Sequence, residues 1–420
     1  MTRMQILYFH QYFTTPSGSG GIRSYEMARY AISRGHQVTM VCGGDVRSGL
    51  DLPEIEPGLR RGYVDGIDVY QFILPYSNQL SLVQRAGVFF KYAILSARLA
   101  LRLDYDLLFA TSTPLTAGIP GIVMKLARRH KKFVFEVRDL WPELPRAMGV
   151  VKNPLILWGM GLLEWASYRS ADGCIGLAPG IIKGIRLRSR KDLPTAMVPN
   201  GCDLDLFVPG NSQSLAFPGT GSGDFVAAFT GAHGLANGLN ALLDAAAVLR
   251  QRGAARIKLV LIGDGNQKQR LQDRAVQEKL DNVLFHDLLP KIRLAEVTGS
   301  IGCGLQILAN VPAFYQGTSP NKFFDYISAG RPVLINYPGW MADLVTKHHC
   351  GIAVPPDDPV AFADALMRLS ESPALCLEMG RNARRLAESD FARDQLACKW
   401  TDFLEAVAEE RGLRGELEDE

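Results

Sequence analysis

At 420 residues the chain is too long for one ordinary domain, and with 47% hydrophobic and 21% charged residues it carries apolar material for two cores. A net charge of +3 over that length gives no reason to expect a nucleic-acid partner. The seven cysteines, Cys42, Cys174, Cys202, Cys303, Cys350, Cys376 and Cys398, lack CxxC spacing, which argues against a disulfide framework and fits reduced thiols in the cytoplasm.

The apolar run after Met4 is short and has no basic leader, so no signal peptide is read there. Ile6 to Phe9 reads as a buried strand, followed by a loop ending in Gly18-Ser19-Gly20-Gly21. Helical spacing of Ile22, Tyr25, Met27, Ala28 and Ile32 then runs to Gly35, and Val38 to Cys42 is the next strand. This order is a βαβ unit, and parallel sheets of such units bind ligands beyond the strand carboxyl ends. The glycine spacing is not GxGxxG and gives no support to nicotinamide binding; a flexible loop without a ligand is the plain alternative.

No segment reaches about 18 uninterrupted apolar residues, the length a membrane span needs. Leu80 to Leu103 is an apolar helix whose only charges are basic, at Arg85, Lys91, Arg98 and Arg102, and Leu155 to Arg169 carries Trp158, Trp165 and Tyr168. Such a make-up suits either a helix lying on an anionic bilayer or a core helix with snorkelling cations. The series continues through the strand Leu107 to Thr111, the helix Thr116 to His130, the strand Phe133 to Val137 and the strand Gly173 to Leu177. The Phe133 strand feeds into Arg138-Asp139-Leu140-Trp141-Pro142-Glu143, at the end where ligands bind in this class. An ion pair of Arg138 with Asp139 or Glu143 that merely holds the loop is the alternative.

The rhythm breaks at Val198 to Pro209, and Gly210 to Gly223 reads as a linker. A second series then begins: the strand Phe225 to Phe229, the helix Leu239 to Arg250, the strand Lys258 to Ile262 ending in Gly263-Asp264-Gly265, and a helix from Asn266. After these come the strand Val283 to His286, the helix Lys291 to Val297, a strand around Ile301 and the strand Gly351 to Val354. Helices near Phe362 and Glu378, a helix from about Asp394 to Glu410 and a frayed acidic tail, Gly415 to Glu420, close the chain. Two doubly wound series imply two Rossmann-like lobes facing a cleft, divided as 1–203 and 204–390, with 391–420 packing back on the first lobe.

Between the Ile301 and Gly351 strands lies Gly317 to Val333, a polar turn opening a short helix that stops at Gly330 before the strand Pro332 to Asn336. Ser319 and Pro320 suit a first turn, so the amides near Asn321 and Lys322 are expected to face outward and bind an anion. Lys322 adds a cation and Asp325, a turn further on, an acceptor for sugar hydroxyls. A strand-to-helix turn of the kind any α/β protein has remains the alternative.

These residues together resemble the retaining glycosyltransferases of the family 4 type, which have the two-lobed GT-B fold. The resemblance rests on Gly20-Gly21, on Pro199-Asn200-Gly201-Cys202-Asp203 with Phe207, on Gly263-Asp264-Gly265 and on Gly317 to Val333 with its Ala-Gly-Arg-Pro-Val ending. The runs ILYFHQYF, SGGIRSYEMAR and EVRDLWPE look closest to the WbuB-like subgroup, associated with O-antigen or capsule assembly and amino-sugar donors. The resemblance implies a donor held by the second lobe and an acceptor on the first. Of the family's two glutamates with seven residues between them, the sugar-binding one falls on Gly317 and the ribose-binding one on Asp325. Sugar contacts then pass to backbone groups or to Thr318 and Ser319. Ala232 and Asn237 stand where the family places cations for the diphosphate, so Lys322, helix amides or His233 must supply that role.

No metal is expected: Asp203-Leu204-Asp205 belongs to the lobe junction, and the adjacent His348 and His349 cannot share one helix face. Asp139 is the candidate to orient or deprotonate the acceptor hydroxyl, although many relatives carry a histidine where Arg138 stands. The implied reaction moves a sugar, such as N-acetylfucosamine, from a uridine diphosphate donor to a polyprenyl-diphosphate-linked saccharide. The protein would act peripherally at the inner face of the cytoplasmic membrane. The alternatives are a non-hydrolysing epimerase acting at C2 of a uridine diphosphate N-acetylhexosamine, and a silent lobe pair that scaffolds an assembly complex.

Overall fold

Short apolar runs bounded by turn residues can bury both faces only in the middle of a parallel sheet with helices on either side. The computed structural model describes residues 3–44, 48–74, 80–210 and 217–409, and its contacts divide into two such α/β units. The first takes in Met1–Pro199 and Gly317–Ser319 and, from Asp394 on, the C-terminal segment. The second takes in Asn200–Gln316 and Pro320–Arg393.

Among the described residues the first unit holds a nine-stranded sheet of β1 (Gln5–Phe9), β2 (Gln37–Gly43), β3 (Glu54–Glu56), β4 (Leu59–Val64), β5 (Ile67–Phe72), β6 (Leu107–Thr111), β7 (Lys132–Val137), β8 (Gly173–Gly176) and β9 (Thr195–Met197). The order is β3-β4-β5-β2-β1-β6-β7-β8-β9. Strands from β5 to β9 run parallel, while β3, β4 and β5 form an antiparallel meander that the sequence reading leaves out. Around the sheet lie α1 (Arg23–Ser33), α2 (Leu82–Arg102), α3 (Ile119–Ala127), α4 (Glu143–Ala147), α5 (Pro154–Ser170) and α6 (Pro179–Arg188). Ser81 starts α2 with a reciprocal cap, accepting from Gln84 N while Gln84 Oε1 accepts from Ser81 N at 3.0 Å. Asn153 caps α5, with Pro154 in its first turn.

The helix expected over Thr116 to His130 is shorter. A 3-10 turn, Leu115–Gly118, leads into α3, and the chain leaves the helix at Arg128, whose guanidinium donates to Leu103 O at 3.0 Å. The expected strand around Ile301 begins later, at Cys303, because Ile301 lies buried in the preceding turn.

The second unit is a six-stranded, all-parallel sheet in the order β12-β11-β10-β13-β14-β15. Its strands are β10 (Phe225–Thr230), β11 (Ile257–Ile262), β12 (Val283–His286), β13 (Cys303–Gln306), β14 (Val333–Ile335) and β15 (Gly351–Ala353). The helices are α7 (Asn240–Gln251), α8 (Lys268–Gln277), α9 (Lys291–Thr298), α10 (Asn321–Ser328), α11 (Trp340–Lys347), α12 (Pro359–Glu371) and α13 (Pro373–Asp390). Gly330 adopts φ +63° directly after α10, the left-handed stop that glycine allows without strain.

The final helix, α14 (Arg393–Ala408), contributes Leu396, Trp400, Phe403 and Leu404 to the core of the first unit. Trp400 is fully buried, stacked on Tyr8 at 5.8 Å and edge-on to Phe109 at 4.9 Å between ring centroids. Outside this aromatic centre, Arg34 pairs with Asp402 and Glu405, each at 3.0 Å. The acidic tail read over Gly415 to Glu420 lies outside the described residues.

Candidate functional site

In the second unit, the loops after β10 and β11 and the start of α10 converge. Gly231 follows β10 with φ +137°, and Gly263 follows β11 with φ +153°. A Cβ at Gly263 would overlap the Gly231 carbonyl oxygen, so the two chains pass at a distance only glycine permits. A Cβ at Gly265 would also crowd the backbone of His233, at 2.5 Å from its carbonyl oxygen. The glycines of the Gly263-Asp264-Gly265 motif thus act first by letting the two loops touch.

Lys322, in the first turn of α10, reaches back over this crossing. Its Nζ stands 4.7 Å from the Phe229 ring centroid and 3.5 Å from Asn237 Oδ1. Pro320 precedes the helix and no side chain caps it, so the amides of Asn321 and Lys322 lie at the positive end of α10 beside the lysine. Desolvation pulls the Lys322 ammonium down to about 8, despite the opposing pull of Asp325. His233 is buried, and neither ring nitrogen has a hydrogen-bond partner among the described residues. Burial, with Lys268 and Lys322 adding to it, lowers His233 to about 4. His233 is therefore neutral near pH 7, with both ring nitrogens open to hydrogen bonding and without the charge expected of it.

Asp325 enters a buried ionic network instead of standing alone. Its Oδ1 accepts from Lys291 Nζ at 2.6 Å, and Lys291 also lies 3.8 Å from Asp203 Oδ2. Asp203 in turn accepts from Arg393 Nε at 2.8 Å, and Arg393 Nη2 donates to Gly201 O. Burial raises the Asp325 carboxyl against the pull of Lys291. Lys291 and Arg393 escaped the sequence reading; the segment from Pro199 to Phe207, read as a junction motif, holds their partner Asp203 and the ring under Lys291.

In the first unit the ends of β1, β6 and β7 bring together His10, Ser112, Thr113, Arg138 and Asp139. Arg138 N donates to Ser112 Oγ at 2.8 Å, and Arg138 Nη1 lies 3.5 Å from His10 Nε2. Thr113 Oγ1 donates to Asp139 Oδ2 at 3.4 Å. Burial raises the Asp139 carboxyl, with Arg138 and Thr113 working against it. His10 is held well below its ordinary value by burial and by the charges of Arg138 and Arg23. His10 is the residue that sequence reasoning missed here, although its place one step past an apolar strand was a usable signal. Glu143 pairs with Arg188 rather than with Arg138, while the Arg138 charge still acts on Asp139.

Gly20 and Gly21 lie in the loop before α1, which Arg23 fastens: its Nη2 lies 2.7 Å from Glu136 Oε2, and its Nη1 donates to Pro199 O at 2.5 Å. Gly317, Thr318 and Ser319 are half-buried and group with the first unit, one residue before the second resumes at Pro320. Asn321 is half-buried at the start of α10. Among the described residues, no group of three or more His, Cys, Asp or Glu side chains is placed to hold a metal ion. A cavity of about 290 Å³ beside Gly238 is lined by Asn310, Asn336, Asp357 and Asp358. Its polar side chains are engaged with neighbours: Asn336 with Leu308, and Asp358 with the amide of Ala361.

Residues 19–201 match the family model described as "Glycosyl transferase 4-like domain", and residues 214–386 match "Glycosyl transferases group 1". A curated D-inositol 3-phosphate glycosyltransferase of Pseudarthrobacter chlorophenolicus is 25% identical over 197 residues, and the match spans 46% of each chain, less than half of that relative's length. Sucrose-phosphate synthase from Thermosynechococcus elongatus superimposes with a TM-score of 0.76 at 17% identity, over 97% of this chain and 100% of that one. HepE of Anabaena, solved with UDP and glucose, gives 0.71 at 17% identity over 96% and 100%. WaaG, a glycosyltransferase involved in lipopolysaccharide biosynthesis, gives 0.64 at 15% identity over 95% and 99%. With both domains matched in order and a wholly or largely parallel sheet in each unit, the chain belongs to the GT-B glycosyltransferases of the family 4 type.

Proposed function

We propose that the protein is a retaining transferase that moves a sugar from a uridine diphosphate donor to a polyprenyl-diphosphate-linked saccharide. The sugar is of the N-acetylamino class, such as N-acetylfucosamine, and the product serves bacterial surface polysaccharide, O-antigen included. The setting is the inner face of the cytoplasmic membrane. The observation that carries the donor half is Lys322 beside the uncapped start of α10 and the Gly231 and Gly263 crossing. Breaking the bond from anomeric carbon to phosphate oxygen builds charge on the departing diphosphate, and donors aimed there lower the barrier without a metal. His233 adds a neutral hydrogen-bonding group next to that charge. With Oδ1 held by Lys291, the Oδ2 of Asp325 is the atom for a ribose hydroxyl.

On the acceptor side, the attacking hydroxyl oxygen forms the new bond to the anomeric carbon and gives up its proton to the departing diphosphate oxygen. Asp139, its carboxyl raised by burial, is the group to orient that hydroxyl. UDP bound by HepE and the lipopolysaccharide role of WaaG support the donor and product classes. The test is calorimetry with UDP, followed by transfer from a panel of uridine diphosphate N-acetylhexosamines to polyprenyl-diphosphate saccharides. UDP binding weakened about tenfold to a hundredfold in Lys322→Ala, and transfer lost in Asp139→Asn, are expected. A wild type that binds no uridine nucleotide overturns the reading.

A further inference from the structure

Helix α5 has its polarity reversed. The polar side chains Glu164, Ser167 and Tyr168 face inward and are buried, with Tyr168 Oη donating to Glu164 Oε1 at 2.8 Å. Outward, at helical spacing, stand Leu155, Trp158, Leu162 and Trp165, with exposures of 76%, 69%, 47% and 53%. A surface helix folding only for its own unit would show the opposite pattern. Four large apolar side chains in one exposed stripe, two of them tryptophans, mark a surface made to be covered.

The neighbouring helices extend it. Helix α3 packs against both α2 and α5. Phe90, Ile94 and Leu101 of α2 and Leu126 of α3 are exposed, while Tyr92, Ala93, Ser96 and Ala100 of α2 are buried. Helix α2 therefore packs one face inward and shows an apolar face outward.

The charges say what covers this surface. Helix α2 carries Arg85, Lys91, Arg98 and Arg102 and no acid, and Lys91, Arg98 and Arg102 are exposed. Arg129 after α3, Lys152 before α5 and Arg169 near its end are exposed too. Of the nearby acids, Glu164 is buried and Asp172 pairs with Lys125 at 2.8 Å, while the exposed Asp104 and Asp106, just past the end of α2, are held by Lys131 at 3.1 Å and by the Gln5 amide at 2.8 Å. Tryptophan, leucine and phenylalanine rimmed mostly by cations match the boundary of an anionic bilayer, where indoles sit at headgroup level and phosphates meet the lysines and arginines. A second copy of the chain would bring the same cations against themselves.

We infer that the outer faces of α2, α3 and α5 form a bilayer-docking surface that seats Trp158, Leu162 and Trp165 in the interfacial layer of an anionic membrane. This deepens the lipid-linked acceptor reading but is measured without donor or acceptor, so either can fail alone.

The full chain is sedimented with phosphatidylcholine vesicles with and without phosphatidylglycerol, and its fluorescence is read against brominated lipid. Trp340 and Trp400 are buried and Trp141 is half-buried with its indole nitrogen inside the fold, so bilayer quenching reports chiefly on Trp158 and Trp165, and the signal left in the double serine variant measures the Trp141 share. Binding that requires phosphatidylglycerol, with quenching, is expected. Trp158→Ser with Trp165→Ser lowers partitioning at least about tenfold, with circular dichroism unchanged. Lys91→Gln and Arg98→Gln each lower it about fivefold. Wild type that stays unbound, binds without quenching, or is a dimer that the serine pair converts to a monomer overturns the inference.

Discussion

Lys291 Nζ lies 2.6 Å from Asp325 Oδ1, and both residues are 4% exposed. A basic and an acidic group so far from water depend on each other as partners, and Asp203 and Arg393 extend the pair to a chain of four. Removing one member strands the others. Lys291→Met is expected to lower unfolding free energy by ~3–5 kcal/mol in urea titrations, and adding Asp325→Asn to recover part of that loss. A Lys291→Met protein as stable as the wild type would mean that the network contributes nothing to the fold.

Lys322 sets a pH limit on nucleotide binding. With its ammonium pulled down to about 8, the cation is present below that pH and fades above it. UDP affinity, measured by calorimetry, should hold from pH 6.5 to about 7.5 and decline through pH 9. Lys322→Arg should extend binding to higher pH, since a guanidinium keeps its charge there. Lys322→Ala should weaken UDP binding about tenfold to a hundredfold at pH 7, the range for a hydrogen bond to a charged group.

The crossing of the loops after β10 and β11 tolerates no side chain. Gly263→Ala would press a methyl group into the Gly231 carbonyl and hold φ where L-residues are strained. A loss of ~2–4 kcal/mol in stability, with UDP binding weakened because Gly231 moves, is the expected result of thermal unfolding and calorimetry.

Glu164 links pH to stability. Burial raises its carboxyl to about 7, against the hydrogen bonds from Tyr168 Oη and Trp141 N, so the folded state favours the proton. Its contribution is whole below the ordinary value of 4.5 and is lost as pH rises through about 7. Arg188, 3.4 Å away and shared with Glu143, offsets part of that loss. Glu164→Gln should therefore be more stable than the wild type at pH 8, by ~1–3 kcal/mol, and indistinguishable near pH 4.5. Denaturant melts across that range check it.

What the sequence disclosed follows from how each element is buried. Strands such as Ile257–Ile262 lie between helices and read as continuous apolar runs. The meander of β3, β4 and β5 stayed hidden because β3 is exposed and β4 alternates half-buried with exposed residues, giving no such run. Proline and glycine marked both ends of α10 through local backbone chemistry, so its start was legible. Lys291 was not, because its partner lies 34 residues away and only tertiary packing joins them. His10 was lost for a related reason: one histidine in a polar loop means little until Arg138 is found 3.5 Å from it.

Trp400 fills the middle of the first unit's core from a helix that follows the whole of the second unit in sequence. A ribosome therefore exposes β1 and β6 long before the indole that seals Tyr8 and Phe109 has been made. During synthesis the first unit is a vessel without its stopper, its aromatic centre open to water or to a chaperone. The second unit can complete its sheet from a contiguous stretch in the meantime, so of the two it is the one built later that can mature first.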